Sequence, residues 1–376
     1  MPRTKDETVI GCFHNRRLDV SNDLTRRTFI GGSISLAALL PACGTESNPV
    51  PSTGGTADSS DFPVTIAHKY GSTTIPDEPK RVVTVGFTDP DFVLALGVKP
   101  VAITDWYGNY PHGIWPWALP ALGDAKPGVM PRPEGDKINF ELVASFRPDL
   151  IIGQYTGMTK DEYERAARLA PTVAQSGGHK DYLMPWQVTT RTFGKALGRS
   201  ARAEELIADV EARFAAARGE HPEFVDAPLI VAERFNAGST FIRTAKEPQN
   251  GLFRDLGFTQ PAPIAELLTD EDGYSGNISD ERMELLDTAS VVVWKLFVDT
   301  DDLGRQQGLV PDELANHPLY PKLKVAREGR DVFLSDKVLL GAVIFASPLS
   351  LPYALDRISP MLAAAIDGDP ATKPRS

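Results

Sequence analysis

Six residues suited to molecular recognition fall within one short stretch: Trp106, Tyr107, Tyr110, His112, Trp115 and Trp117. Three of the chain's five Trp residues are among them. Gly108, Pro111, Gly113 and Pro116 interrupt the stretch, so it has no helical or strand period and reads as a loop. Flat rings with a single polar atom can stack on the apolar shell of a large, partly planar ligand while each donates one hydrogen bond. The competing role is a satellite cluster packing the loop onto its own lobe, so some of these rings are expected at a cleft and others beneath it. Arg234, next to Phe235, and Arg243 each follow a strand pattern and offer planar forks for anionic oxygens. Surface ion pairing is the commoner fate of an Arg. Phe87 and Thr88, then Gln154, Tyr155 and Met158, then Trp294 and Phe297, occupy equivalent places just past or at the end of apolar runs. Open α/β sheets bind their ligands beyond such strand ends.

Other chemistries find less support. The His residues outside the first 42 positions, at 68, 112, 179, 221 and 317, form no spaced pair, so no bare-metal site is expected. His112 reads as a hydrogen-bonding loop residue. There is no Gly-x-Ser-x-Gly elbow, His-Glu-x-x-His, Gly-x-Gly-x-x-Gly or phosphate loop. No catalytic role and no resident cofactor are therefore expected, and ATP hydrolysis would fall to a separate protein. A catalytic carboxylate pair in an exported enzyme stays open as a reading of another class, as does a surface adhesion or signalling module.

The elements that must position these residues alternate. Val64–His68, Gly71 and Thr73–Ile75 read as a hairpin. Arg81–Val85, Val101–Thr104, Leu150–Ile152, Leu229–Ala232 and Val291–Trp294 read as buried strands. Helical segments at Phe92–Gly97 and Leu142–Phe146 separate the first of them, an order that predicts α/β layers around a mostly parallel sheet. One unit recurs: Asn139-Phe140-Glu141 before Leu150-Ile151-Ile152, and Ser279-Asp280-Glu281 before Val291-Val292-Val293. Asn139 and Ser279 read as helix N-caps. The longest helical pattern lies between the two. Ala203, Leu206, Ile207, Val210, Phe214 and Ala217 form one apolar stripe within Ala201–Arg218, long enough to cross a domain.

The chain's first positions concern location. Thr25-Arg26-Arg27-Thr28-Phe29-Ile30 matches a twin-arginine export signal, and Leu40-Pro41-Ala42-Cys43-Gly44 reads as a lipoprotein cleavage site, with Pro41 atypical. The apolar run between them is too short and too interrupted to span a bilayer. Cleavage before Cys43 would leave that thiol to carry lipid, holding the protein on the extracytoplasmic face of the membrane. The leader carries six Lys or Arg and four Asp or Glu, so its loss takes the formal charge from −11 to −13. That balance argues against a nucleic-acid partner. The expected organisation is a signal peptide over 1–42, a tether over 43–61, a first lobe over 62–198, a linking helix over 199–221 and a second lobe over 222–376.

Several segments carry a resemblance that spans most of the body. They include Arg81-Val82-Val83-Thr84, Ala95-Leu96-Gly97-Val98-Lys99-Pro100, Arg147-Pro148-Asp149-Leu150-Ile151-Ile152 and Ala170-Pro171-Thr172-Val173. Phe193-Gly194-Lys195-Ala196-Leu197-Gly198, Leu256-Gly257-Phe258 and Ser347-Pro348-Leu349-Ser350-Leu351-Pro352-Tyr353-Ala354-Leu355 complete the set. In this the chain resembles the substrate-binding lipoproteins of ABC importers that take up ferric siderophores. The resemblance implies a class III periplasmic-binding-protein-like fold: two Rossmann-like α/β lobes, one long linking helix and an interlobe cleft that closes only modestly. It implies a monomer that captures a ferric siderophore and delivers it to a permease with its own ATPase. It also implies one acidic docking residue on each lobe, for which Glu141 and Glu281 stand. Haem, with a loop Tyr or His as axial ligand, and cobalamin remain alternative cargoes.

Overall fold

The computed structural model describes residues 62–131, 137–236, 239–244, 247–268, 275–296 and 312–372. The export signal, Cys43, the tether and Phe297 lie outside them. The first elements are a hairpin, β1 (Val64–His68) antiparallel to β2 (Gly71–Ile75), in which Val64, Ile66 and Ile75 turn inward. Gly71 enters the second strand at φ +124°, a conformation that a side chain would strain.

A wholly parallel sheet follows. It contains β3 (Val82–Thr84), β4 (Ala102–Thr104), β5 (Gly128–Met130), β6 (Leu150–Gly153) and β7 (Thr172–Ala174), in the order β5-β4-β3-β6-β7. The second sheet contains β8 (Leu229–Asn236), β9 (Ser239–Arg243), β10 (Ser275–Ser279), β11 (Val291–Lys295) and β12 (Asp331–Leu334), in the order β10-β9-β8-β11-β12. Here β8, β11 and β12 run parallel, while β9 and β10 run antiparallel at one edge. The antiparallel edge arises because β8 turns back directly into β9, with no crossover helix between them.

Seven helices matter to the site. They are α1 (Asp89–Ala95), α2 (Phe140–Ser145), α3 (Lys160–Ala167), α4 (Trp186–Ala196), α5 (Ser200–Glu220), α6 (Lys337–Phe345) and α7 (Ser350–Ile366). The recurring unit divides in two. Asn139 caps α2, its side chain accepting from the Leu142 amide at 3.0 Å. Ser279 makes no such bond, and Asp280–Thr288 is a 3-10 run kinked at Arg282. Its buried residues, Met283 and Leu286, are three apart, the repeat of that tighter helix.

Period-two alternation assigns each sheet face to a different core. Val82, Leu150 and Ile152 of the first sheet and Leu229, Val231, Val291 and Val293 of the second belong to one continuous cluster. Val83, Val85 and Ile151 face a separate outer core, and Ile230, Ala232, Val292 and Trp294 face another. Helix α5 belongs to the shared cluster and packs against α4 on one side and α7 on the other. Its buried residues are Ala203, Leu206, Ile207, Val210, Phe214 and Ala217, the six that the apolar stripe predicts. Twenty-one residues give it a length of about 31 Å at about 1.5 Å per residue. No helix among the described residues is long and apolar enough to cross a membrane.

Phe214, 2% exposed, is the largest ring on that stripe. Phe214→Ala is expected to lower unfolding free energy by about 3–5 kcal/mol in urea titrations. Asp209→Ala, on the exposed face of the same helix, should stay within about 0.5 kcal/mol. Equal losses would mean that α5 is not packed through this stripe.

Candidate functional site

The carboxyl ends of β3 and β6 lie side by side, and the loops that leave them form one wall of a groove. Thr88, Asp89, Gln154 and Tyr155 line it from the first lobe, together with Tyr182 and Trp186. Pro248, Ile344, Phe345 and Ala346 close it from the second lobe. The space is about 400 Å³, counting its solvent-open mouth.

Asp89 ties the two loops together. It is fully buried, and its carboxylate accepts from the Gly86, Gln154 and Tyr155 amides, the latter two at 2.8 and 3.3 Å. Burial pushes its pKa up to about 7, against those backbone bonds, which pull it down. Gly86 is required by this arrangement, since a Cβ there would lie 2.0 Å from Asp89 Oδ2.

Asp91, two residues later on α1, joins the lobes. Its Oδ2 accepts from Trp117 Nε1 at 2.6 Å and from Ser347 Oγ, across the lobes, at 2.7 Å. Ala346 precedes Ser347 in the left-handed conformation (φ 46°, ψ 47°), ending α6 and turning the chain toward Asp91. Burial raises the Asp91 pKa to about 6, the two side-chain donors opposing the shift.

Beside the groove Trp106, half-buried, stacks on Phe87 with ring centres 5.5 Å apart and planes 17° off parallel, and Phe87 lines a separate pocket with Val85 and Met130. Tyr155 and Phe345 flank Trp106 at 5.8 and 5.7 Å, and Tyr182 meets Tyr155 edge-on at 5.0 Å. Burial drives the Tyr155 and Tyr107 hydroxyls well above the ordinary tyrosine pKa, so both stay neutral phenols. Gln154 is 2% exposed, and neither its amide nitrogen nor its amide oxygen has a hydrogen-bond partner among the described residues.

Other expected site residues lie elsewhere. Trp115 and Trp117, 1% and 8% exposed, stack on each other at 4.8 Å and pack under Phe345. Trp115 presses so closely on α6 that a Cβ at Gly341 would lie 2.4 Å from its ring. They hold the lobes together rather than offering a face to a ligand, because the turns at Pro111–Gly113 and Pro116–Ala118 fold the loop back into the core. Tyr110 sits at the interlobe seam, with Lys337 Nζ 5.0 Å above its ring and hydrogen-bonded to the Gly108 carbonyl at 2.7 Å. Met158 is buried in the outer core of the first lobe. Trp294 faces the outer core of the second lobe by strand parity, its Nε1 donating to Asp331 at 3.1 Å. Arg234 and Phe235 continue β8, but their side chains are outside the described residues.

Arg243 is not available as an open fork. It donates twice to Glu233, at 2.6 and 2.9 Å, and lies 3.8 Å from Glu247. Lys295, aligned with Glu233 on the neighbouring strand, lies 3.7 Å from that carboxylate. Its Nζ donates to Gln249 Oε1 at 3.1 Å, and Gln249 Nε2 donates across the lobes to the Tyr155 hydroxyl at 3.3 Å. Burial lowers the Lys295 pKa and raises that of Glu247, while the opposite charges partly offset each shift. Sequence patterns did not single out Asp89, Asp91, Glu233, Glu247, Lys295 or Phe345 as site residues. Asp89 and Asp91 in the first turn of a helix carry only the signal of dipole complementarity.

Comparisons with known proteins agree on one family. The family model described as periplasmic binding protein matches residues 112–338. A probable siderophore-binding lipoprotein, YfiY, of Bacillus subtilis is 26% identical over 80% of this chain and 87% of its own. The Fe(3+)-citrate-binding protein YfmC of the same organism is 26% identical over 79% and 86%. Among solved structures, a periplasmic solute binding protein from Mycobacterium smegmatis superposes with a TM-score of 0.70 at 33% identity, covering 82% of this chain and all of that one. PiaA of Streptococcus pneumoniae in complex with ferrichrome gives a TM-score of 0.67 at 25% identity, covering 81% and 99%.

The two buried acids make stability depend on pH. Each holds its proton to higher pH in the folded chain than at its ordinary pKa of 3.8. Stability therefore falls as pH rises from about 4 to about 7. Asp91→Asn keeps an acceptor for Trp117 and Ser347 and should remove up to about 3 kcal/mol of that fall. Urea unfolding at about pH 4.5 and about pH 7.5 measures it. An unchanged difference would assign the titration to other groups.

Proposed function

The chain belongs to the periplasmic binding protein family, and on that premise we propose that it captures a ferric siderophore in the interlobe groove and delivers it to an ABC permease. The observation that carries this is the groove wall itself. Tyr155, Tyr182 and Trp186 line it from the first lobe and Phe345 closes it from the second, with Trp106 packed against both Tyr155 and Phe345. A ferric siderophore is an iron wrapped in oxygen donors with an apolar backbone outside. Its backbone can lie on the rings of Tyr182, Trp186 and Phe345 while the neutral Tyr155 hydroxyl and the Gln154 amide turn to meet its oxygens. Haem ligated through tyrosine needs a tyrosinate, and the upward shifts at Tyr107 and Tyr155 oppose one.

The relatives' names support a binding rather than a catalytic role, and this reading takes the chain as a non-enzymatic importer component. Export by the twin-arginine signal and lipid attachment at Cys43 belong to the same reading. They would keep a monomeric capture protein beside its permease, whose separate ATPase supplies the energy. Glu141 and Glu281 are exposed and stand before β6 and β11 respectively, one on each sheet's side of the molecule. They suit contacts with permease Arg residues that set orientation and association rate more than affinity.

Trp106→Ala is expected to weaken ferric siderophore binding by about 10–100-fold, read by equilibrium dialysis with iron as the label. Trp115→Ala should act first on stability, lowering it by about 3–5 kcal/mol. Binding unchanged in a folded Trp106→Ala variant, or tight haem binding with no response to any ferric siderophore, would overturn the assignment. Replacing Glu141 and Glu281 together by Ala should leave affinity in solution within about twofold. The same variant should impair uptake by cells, and normal uptake would remove the docking role.

A further inference from the structure

We infer that segment 175–184 is a strap that holds the Tyr182 ring as a preset contact for the chelate, with Lys69 and Asp181 as its positioning residues. The inference rests on the siderophore reading and deepens it. It assigns to the groove a contact whose place is fixed before any cargo enters.

The strap is closed on its own lobe from the turn between β1 and β2. There the Lys69 amide donates to the Gln175 carbonyl at 2.8 Å. Gln175, 2% exposed, then spans the loop with its side chain. Its Nε2 donates to the His179 carbonyl at 3.0 Å, and its Oε1 accepts from the Tyr182 amide at 3.3 Å. Two backbone groups of opposite polarity thus fix which way that side-chain amide faces. Lys69 Nζ donates to Asp181 Oδ1 at 2.5 Å, completing a ring of contacts from the hairpin turn to the strap and back. The next residue of that turn, Tyr70, donates its hydroxyl proton to the Met158 carbonyl. One hairpin turn therefore holds both the strap and the loop that follows Tyr155.

The ring held this way sits on strained backbone. Tyr182 has a φ of 66°, in the left-handed region that bulky side chains rarely occupy. Its hydroxyl lies over Gly157, where a Cβ would be 2.4 Å away, and its ring meets Tyr155 edge-on at 5.0 Å. Tyr182 lines the groove with Gln175, Met184 and Trp186, whereas Lys69 and Asp181 stand outside the lining. A loop that only had to turn at this position would do so at less cost with glycine. Strain of this kind persists where the surroundings over-determine it, and here they fix where an aromatic ring meets the groove. A ring already in place loses little freedom when a chelate stacks on it, so an ion pair remote from the cargo contributes to affinity.

Titrating wild type and variants with ferrioxamine E, ferric enterobactin and ferric citrate, while following Trp fluorescence, tests this. Whichever of the three wild type binds most tightly should bind Tyr182→Gly at least about tenfold more weakly. The melting temperature of that variant should stay within about 3 °C of wild type, because glycine relieves the backbone strain as the ring's packing is lost. Asp181→Ala should weaken binding of the same chelate by about three- to fivefold, the scale of a partly exposed ion pair. Added to Tyr182→Gly, it should cost nothing further, since its only route to the cargo is that ring. Exchanging the charges, Lys69→Glu with Asp181→Lys, should recover most of the loss. Unchanged binding by folded Tyr182→Gly, or losses from Asp181→Ala and Tyr182→Gly that simply add, would overturn the inference and leave the siderophore reading intact. No response of wild type to any of the three chelates would overturn the siderophore reading, and this inference with it.

Discussion

The two lobes of this molecule are not free to separate, because they share one core. The inner faces of both sheets, the stripe of α5 and the apolar faces of α6 and α7 bury one another in a single cluster. Trp115 and Trp117 extend it across the seam beneath Phe345, and the Asp91–Ser347 hydrogen bond lies in the same dry contact. Prising the sheets apart would expose large rings at about 25 cal/mol per Å² and leave a buried carboxylate without one of its donors. The groove is therefore a slot of nearly fixed width above a packed seam. Its specificity must come from what lines it, since little reshaping is available.

Asp89 and Asp91 show how closely the lining and the seam are connected. They are two residues apart on one short helix, yet one organises the loops that form the groove and the other joins the lobes. Less than one turn of α1 therefore separates the seam from the groove. The Glu233, Arg243, Glu247 and Lys295 cluster plays the matching part in the second lobe. It reaches the first lobe through a single uncharged bridge, Gln249 to Tyr155. Buried ion clusters of this kind add little net stability compared with apolar packing of the same volume. Here the cluster keeps four long side chains in place at the strand ends, and it does so without any net charge.

What the sequence made legible follows from periodicity. The α5 stripe repeats at helical spacing over fourteen residues, and all six of its members are buried. The strands beneath the site are apolar runs bounded by turn residues, and they appear within a residue of the expected places, except that β8 runs four residues past Ala232. The aromatic loop has no period, so nothing in its spacing separated Trp106, packed against the groove's Tyr155 and Phe345, from Trp115 and Trp117, in the seam. Trp294 was misplaced for a different reason. It ends a strand, as a ligand contact would, but parity with Val292 turns it to the outer face. Arg243 reads as a free fork because its partners, ten positions back along the hairpin and four positions ahead, are distant in type and pattern from any recognised motif. Pairings made by folding leave no local signal.

A stiff body also constrains how cargo could leave. Among the described residues few polar contacts cross the groove itself, and the Gln249–Tyr155 bond, at 3.3 Å, is long for its kind. The Asp91–Ser347 bond, at 2.7 Å, and the aromatic seam lie below it and hold more firmly. A small relative displacement of the sheets would therefore part the upper contact while the seam stays closed, widening the mouth without opening the core. Hinge-type opening would have to expose the shared core, whereas among the described residues this motion asks the Gln249–Tyr155 bond to give way, worth about 0.5–1.5 kcal/mol, and the Lys337–Gly108 bond to shift. A slight shear of the slot therefore asks less of this packing than the wide swing of two independent domains.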